Sequence, residues 1–320
     1  MAKPKIVATG PIGQVAIDIL EPFGPIAVAP DHRTESLMPL LDEAVGLAVR
    51  GEAKIDVAVM DAAPNLKVIA RSGVGYNNVD IAEATSRRIP VVYTPGAGAR
   101  AVAEAALAMM LALAKRMLHW DARMKAGDWA SRADISNRDL DGATLGIVGL
   151  GRIGQIVAQL AKPFGMTILA YDPYVTAQRA KELGAEIVEL DDLVSRSDFI
   201  TLHANVTDET RGMINRRRLE RVKPGSYLVN MARGDLIESL DIVHEALCDG
   251  RLAGAGLDVF APEPPDVSHP IFSLTNCITA PHTLAMTTGA MERIFKAMAL
   301  DMAAVLTGKR PKDVVNPQVL

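Results

Sequence analysis

The sequence predicts an α/β protein built from two doubly wound, parallel-sheet domains, and three observations predict it. The chain has 320 residues, more than one hydrophobic core usually serves, although length alone leaves a single large barrel open. Short β-rich apolar runs alternate with helical patterns almost throughout, which is the rhythm of parallel strands joined by helical crossovers. Hydrophobic residues make up 49% of the chain, enough to bury two layered cores.

The elements follow in order. KIVA, DVAVM, LKVIA and IPVVY read as strands within the first hundred residues. TLGIVGL, TILAYD, DFITLH, SYLVNM, LAGAGLDVF and NCITA form a second series, with helical segments such as 154–165, 175–184 and 239–249 between them. NCITA reads as a short buried strand that Pro281 stops, with His282 directly after it. The two series meet at TPGAGARAVAEAALAMMLALAKRM. There Pro95, Gly96 and Gly98 form a hinge, and about five turns of Ala, Leu and Met with few breakers predict one long helix. TTGAMERIFKAMALDMAAVLTGK also predicts a helix. Because it follows the last strand, it can cross back to the first domain. The expected division is therefore a discontinuous domain of residues 1–100 and 286–320, and a second of residues 101–285.

Composition narrows the partners. A formal net charge of -4 supplies no clustered excess of Lys and Arg, so neither nucleic acid nor an anionic membrane is expected, and a small solute is. Cys248 and Cys277 lie far from any metal-ligand spacing. They give no disulfide framework and no metal site, and they fit a reducing compartment. No apolar run reaches spanning length, and MAKPKIVATG lacks a signal-peptide core, so a soluble, cytoplasmic protein is expected.

The sharpest motif lies in GATLGIVGLGRIGQIVAQLAKPFG, where a strand runs into Gly149-Leu150-Gly151-Arg152-Ile153-Gly154 and on into a helix. A bare GxGxxG is weak evidence, but this one stands in the strand–turn–helix context that a dinucleotide fingerprint requires. Gly149 permits the tight turn, Gly151 lets backbone approach a pyrophosphate, and Gly154 lets helix and strand pack closely. The next strand, TILAYDPY, ends in Asp172, at the distance expected of the acid that accepts from the adenine ribose hydroxyls. An acid there repels a 2′-phosphate, so NAD(H) is expected over NADP. Arg152 stands where it could touch phosphate, though a solvated loop arginine is the plainer reading.

Open α/β sheets bind ligands outside the carboxyl ends of their strands. Three later strand ends carry ionisable groups: Arg233 in YLVNMARGDLI, Asp258 and Glu263 in GLDVFAPEPP, and His282 in ITAPHTLA. Singly, Arg233 reads as a surface ion pair, Glu263 as a loop acid and His282 as a strand-end histidine. Their shared topological position favours a joint reading, oxidation of a 2-hydroxy acid or reduction of a 2-oxo acid beside a nicotinamide. In it, Arg233 holds a carboxylate and the adjacent carbonyl with its planar fork. His282 gives or takes the proton, and Glu263 fixes its far ring nitrogen.

With these motifs in place, the sequence resembles the D-isomer-specific 2-hydroxyacid dehydrogenase family over nearly its whole length. The specific parts are RSGVGYNNVD, PGAGARAVAE, GLGRIG with YDP, LHANVTDETRGMI, VNMARGDLI, GAGLDVFAPEPP and APH. The resemblance implies two Rossmann-like domains with substrate bound in a cleft between them. It implies Arg233, Glu263 and His282 as the catalytic set, and Asp258 as the acid that contacts the nicotinamide carboxamide. Ser72, Gly73, Val74 and Gly75 become the carboxylate-binding loop, His203 lies on the cofactor side, and a homodimer is expected, with the apolar helix 101–118 available for it. Gly98, Asn205-Val206 and Thr283-Leu284-Ala285 depart from the family's usual residues, which leaves the particular acid open. NAD(H)-sensing corepressors and formate dehydrogenases share this fold, but the latter carry an amide where Glu263 stands. Arg71 is a second candidate anion ligand or a structural pair. Trp129 is a packing residue before a substrate wall or subunit contact, and Arg216-Arg217-Arg218 is a solvated basic turn. Met109, Met110 and Met117 are core or dimer packing.

Overall fold

The computed structural model describes residues 5–320; the first four, part of the stretch read for a signal peptide, lie outside the described residues. The chain forms two compact units, Met1–Gly98 with Met286–Leu320, and Ala99–Ala285.

The first unit runs β1 (Lys5–Ala8), α1 (Gln14–Leu20), β2 (Ile26–Val28), α2 (Thr34–Leu37), β3 (Ala44–Val49), α3 (Val57–Asp61), β4 (Val68–Arg71), α4 (Ile81–Ser86) and β5 (Val91–Val92). Its five strands are all parallel, in the order β2-β1-β3-β4-β5, the second of the two common doubly wound arrangements. DVAVM, expected as a strand, is helix α3. Asp56 caps it by accepting the Val59 N–H at 3.3 Å, a side-chain bond that a strand would not use. The strands IAV and AVGLAV take its place. The first is only three residues long, and the second carries Ala or Gly at three of its six positions, so each gives a weak strand signal.

The second unit begins with α5 (Ala99–Ala114) and α6 (Met117–Lys125). The expected single helix is thus broken. Arg116 takes a left-handed backbone, φ 49°, and the Ala114 carbonyl accepts the Arg138 N–H at 2.8 Å. Met109 and Met110 pack in the core, whereas Met117 is exposed and α6 buries none of its residues. There follow β6 (Thr144–Val148), α7 (Arg152–Ala161), β7 (Thr167–Tyr171), α8 (Ala177–Glu182), β8 (Ala185–Ile187), α9 (Leu190–Arg196), β9 (Phe199–Leu202), α10 (Arg216–Leu219), β10 (Ser226–Asn230), α11 (Leu240–Cys248), β11 (Leu252–Leu257) and β12 (Cys277–Thr279). The seven parallel strands stand in the order β12-β11-β10-β9-β6-β7-β8, so the order of strand addition reverses between β6 and β9, where α/β sheets place their crevice. β12 is an edge strand and only half-buried, not the buried strand expected.

Both faces of this sheet are covered, which is why its strands read as continuous apolar runs. Along β10, Tyr227 and Val229 join Met110 and Leu113 of α5 and Val157 of α7 in one core. Leu228 points the other way, to Leu193 of α9 and Val243 of α11. The chain then returns to the first unit as α12 (Thr288–Leu306), capped by Thr287, whose Oγ1 accepts the Ala290 N–H at 3.1 Å. Its Phe295, Met298 and Met302 share a core with Ile6, Ala8 and Ala70 of the first sheet.

Candidate active site

Between β6 and α7 the glycine turn has the geometry its residues require. Gly149 has φ 94°, and a Cβ there would lie 2.7 Å from the Ala204 nitrogen; one on Gly154 would collide with the Gly149 carbonyl. At Gly151 a Cβ would meet nothing within 4 Å, so the approach to the α7 N-terminus is open. No side chain caps that end of the helix, which leaves its N–H groups available to an anion. Arg152 is exposed at the first position of α7, and Ile153 is half-buried against the core. At the end of β7, Asp172 braces the turn: Oδ2 accepts the Leu150 N–H at 2.8 Å and Oδ1 the Tyr174 N–H at 2.9 Å. A carboxylate has about four acceptor sites, so capacity remains for ribose hydroxyls.

His203 stands beside this turn. Its N–H donates to the Val148 carbonyl at 2.7 Å, and its Nε2 lies 2.9 Å from Thr201 Oγ1. Burial pushes its pKa down to about 3, so the ring is neutral. Nδ1 is buried with no partner among the described residues. An open helix N-terminus, a strand-end acid and an orphaned buried nitrogen are a donor and acceptor set that fits a dinucleotide.

The ionisable strand ends of the same sheet converge. Beyond β12, His282 adopts a left-handed backbone, φ 52°, uncommon for a non-glycine residue although histidine is among those that take it more readily. Asp258 holds that conformation in place, accepting the Thr283 N–H at 3.0 Å and the Leu284 N–H at 3.3 Å. The resemblance assigned Asp258 to the nicotinamide carboxamide, but its carboxyl is buried, at 2% residue exposure, and turned to these two amides. Burial raises its pKa, opposed by the same two amides. His282 Nδ1 lies 2.9 Å from Glu263 Oε2, and Glu263 Oε1 accepts the Phe260 N–H at 3.0 Å. Burial would raise the Glu263 pKa, but the His282 bond, the Phe260 amide and the charges of His282 and Arg233 together hold it below the ordinary carboxylate value. With Nδ1–H donated to a carboxylate, the tautomer this geometry assigns leaves Nε2 for chemistry.

Arg233 follows β10, its Nη1 donating to the Ala232 carbonyl at 2.6 Å. Burial lowers its pKa, against the raising influence of Glu263 and Asp235, and a guanidinium stays protonated regardless. The Arg233 loop and the Phe260–Glu263 loop pack backbone against backbone, since a Cβ on Gly234 would overlap the Phe260 carbonyl carbon. Asn230, which the sequence reading passed over, lies fully buried beneath this loop and hydrogen-bonds to it twice. Its only sequence signal is a polar amide ending an apolar strand.

In the first unit, the Ser72–Gly75 loop follows β4. The Ser72 N–H already donates to the Val49 carbonyl at 2.9 Å and the Gly73 N–H to Thr94 Oγ1 at 2.7 Å. That narrows the expected four-residue anion loop to the amides of Val74 and Gly75. Arg71 donates to the Ser72 carbonyl and, at 3.4 Å, to Asn78 Oδ1, so it carries structural bonds of its own. Trp129 is exposed, with the Arg132 guanidinium 5.4 Å from its ring. The Arg216–Arg218 turn is not merely solvated: Arg217 and Arg218 pair with Asp191, and Arg216 with Glu245. No group of three or more His, Cys, Asp or Glu among the described residues is placed to hold a metal ion.

Comparison with known proteins identifies the family. Residues 107–283 match the D-isomer specific 2-hydroxyacid dehydrogenase, NAD binding domain. D-3-phosphoglycerate dehydrogenase of Methanocaldococcus jannaschii is 40% identical over 98% of this chain, which spans 59% of that protein's length. Glyoxylate reductase of Thermococcus onnurineus is 39% identical over 99% of this chain and 97% of its own. Among solved structures, D-lactate dehydrogenase of Aquifex aeolicus, complexed with NAD and lactic acid, is 29% identical with a TM-score of 0.87, covering 98% of this chain and 99% of its own. A fold with this glycine turn, a family match over more than half the chain and relatives of this identity make the chain a member of the D-isomer-specific 2-hydroxyacid dehydrogenase family.

Proposed function

We propose that the protein is an NAD-dependent oxidoreductase acting on a small D-2-hydroxy acid or the corresponding 2-oxo acid. The observation that carries this reading is the 2.9 Å contact between Glu263 and His282, at the carboxyl end of the sheet that also bears the Gly149–Gly154 turn and Arg233. When bound, the nicotinamide supplies or accepts hydride at substrate C2. Arg233 grips the substrate carboxylate and the neighbouring oxygen through parallel N–H donors. In the first unit, the amides of Val74 and Gly75 are the loop's remaining donors for an anion. Glu263 keeps the ring of His282 oriented, and Nε2 gives a proton to the carbonyl oxygen in reduction or removes it from the hydroxyl in oxidation. Asp172 accepts from the ribose hydroxyls and disfavours a 2′-phosphate, which selects NAD(H).

Supporting a homodimer, α6 and the segment after it expose Met117, Leu118, Met124, Trp129 and Ile135, apolar side chains that a second copy could cover; light scattering on the purified protein tests this. Two unpaired cysteines support a reducing, cytoplasmic setting, and no described helix is long and apolar enough to cross a membrane. The deciding experiment incubates the protein with NADH and glyoxylate, hydroxypyruvate, 3-phosphohydroxypyruvate or pyruvate, and follows nicotinamide absorbance. Consumption on at least one acid is expected. NADH binding without consumption on any acid would favour a cofactor-sensing scaffold instead.

A further inference from the structure

We propose that Asn230 is a positioning residue that sets the reach of Arg233 and couples it to the His282 loop; the proposal rests on the reading of Arg233 as the substrate anchor. Asn230 ends β10 and has no solvent exposure. Its side-chain amide is used at both ends: Oδ1 accepts the Ala232 N–H at 3.0 Å, and Nδ2 donates to the Arg233 carbonyl at 2.9 Å. The three residues after the strand are thereby folded back over its end, and the backbone of Arg233 is fixed at the point from which its side chain departs.

The backbone carbonyl of Asn230 accepts the Asp258 N–H at 3.1 Å, and the Asp258 carboxylate accepts from Thr283 and Leu284. A continuous hydrogen-bonded path thus joins Arg233 to the residues that hold His282. Position 230 needs one donor and one acceptor on a short stem. Asp lacks the donor, Leu lacks both, and Gln is a methylene too long.

Asn230→Asp tests the idea because its defect depends on a proton. The ionised carboxylate still accepts from Ala232 but sets an oxygen against the Arg233 carbonyl, whereas the protonated acid regains a donor. Toward alkaline pH, the variant's KM for glyoxylate is expected to exceed that of the natural protein by about tenfold or more. The ratio should fall as pH is lowered, while NADH affinity measured by fluorescence titration stays within about twofold. A folded variant whose KM ratio is near one at every pH, or which loses NADH affinity in parallel, would overturn the proposal. Should the variant not fold, amide exchange on the natural protein decides: slow exchange at Ala232 is expected, and fast exchange there contradicts the clamp. An unchanged KM in Arg233→Lys would instead remove the anchoring reading on which the proposal stands.

Discussion

The glycine turn and the acid–base cluster lie at the same end of the same sheet but are made in opposite ways. The turn is one contiguous stretch whose function resides in backbone, so six residues from Gly149 to Gly154 carry nearly all its information. The cluster is assembled from strand ends at Arg233, Glu263 and His282, and backbone amides received by Asn230, Asp258 and Glu263 hold it together. A site of the first kind is damaged by adding atoms, and a site of the second by removing single polar atoms that touch no ligand.

The largest test of that contrast is His282→Ala. Turnover is expected to fall about 10²- to 10⁴-fold, the usual worth of a positioned acid or base, with NADH affinity retained in a fluorescence titration. Near-normal kcat in folded protein would detach the cluster from the chemistry. Glu263→Gln should lower kcat by on the order of 10²-fold, less than loss of the ring, because the contact survives without its charge; steady-state rates at saturating NADH measure it.

Asp172→Ala sharpens the other side. NADH binding is expected to weaken about 10- to 100-fold, the worth of a hydrogen bond to a charged group, without NADPH becoming the tighter ligand, since the turn also loses its anchor on the Leu150 amide. Tighter binding of NADPH than of NADH by calorimetry would show the acid to be a filter alone.

The smallest effect concerns stability. His203 is held neutral in the folded state, with a pKa of about 3, whereas the unfolded chain protonates it near pH 6.5. Below that value the unfolded state binds the extra proton, so its contribution is complete above pH 6.5 and is lost as pH falls toward 3. Between pH 7 and 5 the natural protein should lose about 2 kcal/mol that His203→Gln does not. Parallel urea-unfolding curves for the two proteins would contradict this.

How much the sequence shows follows the same division. The turn is legible because strand, glycines, helix and Asp172 occur in one window, and the central strands of the second unit are legible because both their faces are apolar; the three-residue edge strand β8 is not, having too few residues to show a pattern. Asn230 is not, because a buried amide looks like any polar residue at a strand end until its partners are placed. DVAVM misleads because a short apolar run has no decisive period, and the strand AVGLAV is masked by Ala and Gly at three of its six positions. The break at Arg116 is a backbone conformation that no propensity at that position announces. The amides of Ser72 and Gly73 were expected to serve an anion, and only the fold reveals that Val49 and Thr94 have already claimed them.

One consequence of α12 concerns the order in which the protein is made. Its Phe295, Met298 and Met302 cover one face of a sheet whose strands were all synthesised within the first hundred residues. As the chain leaves the ribosome, the second unit is complete by residue 285, yet the face of the first sheet that α1 shares with α12 stays only partly covered until residues 288–306 have emerged. Of the two units, the one whose strands come earlier is therefore closed later, and in that interval it is the one that needs protection from aggregation.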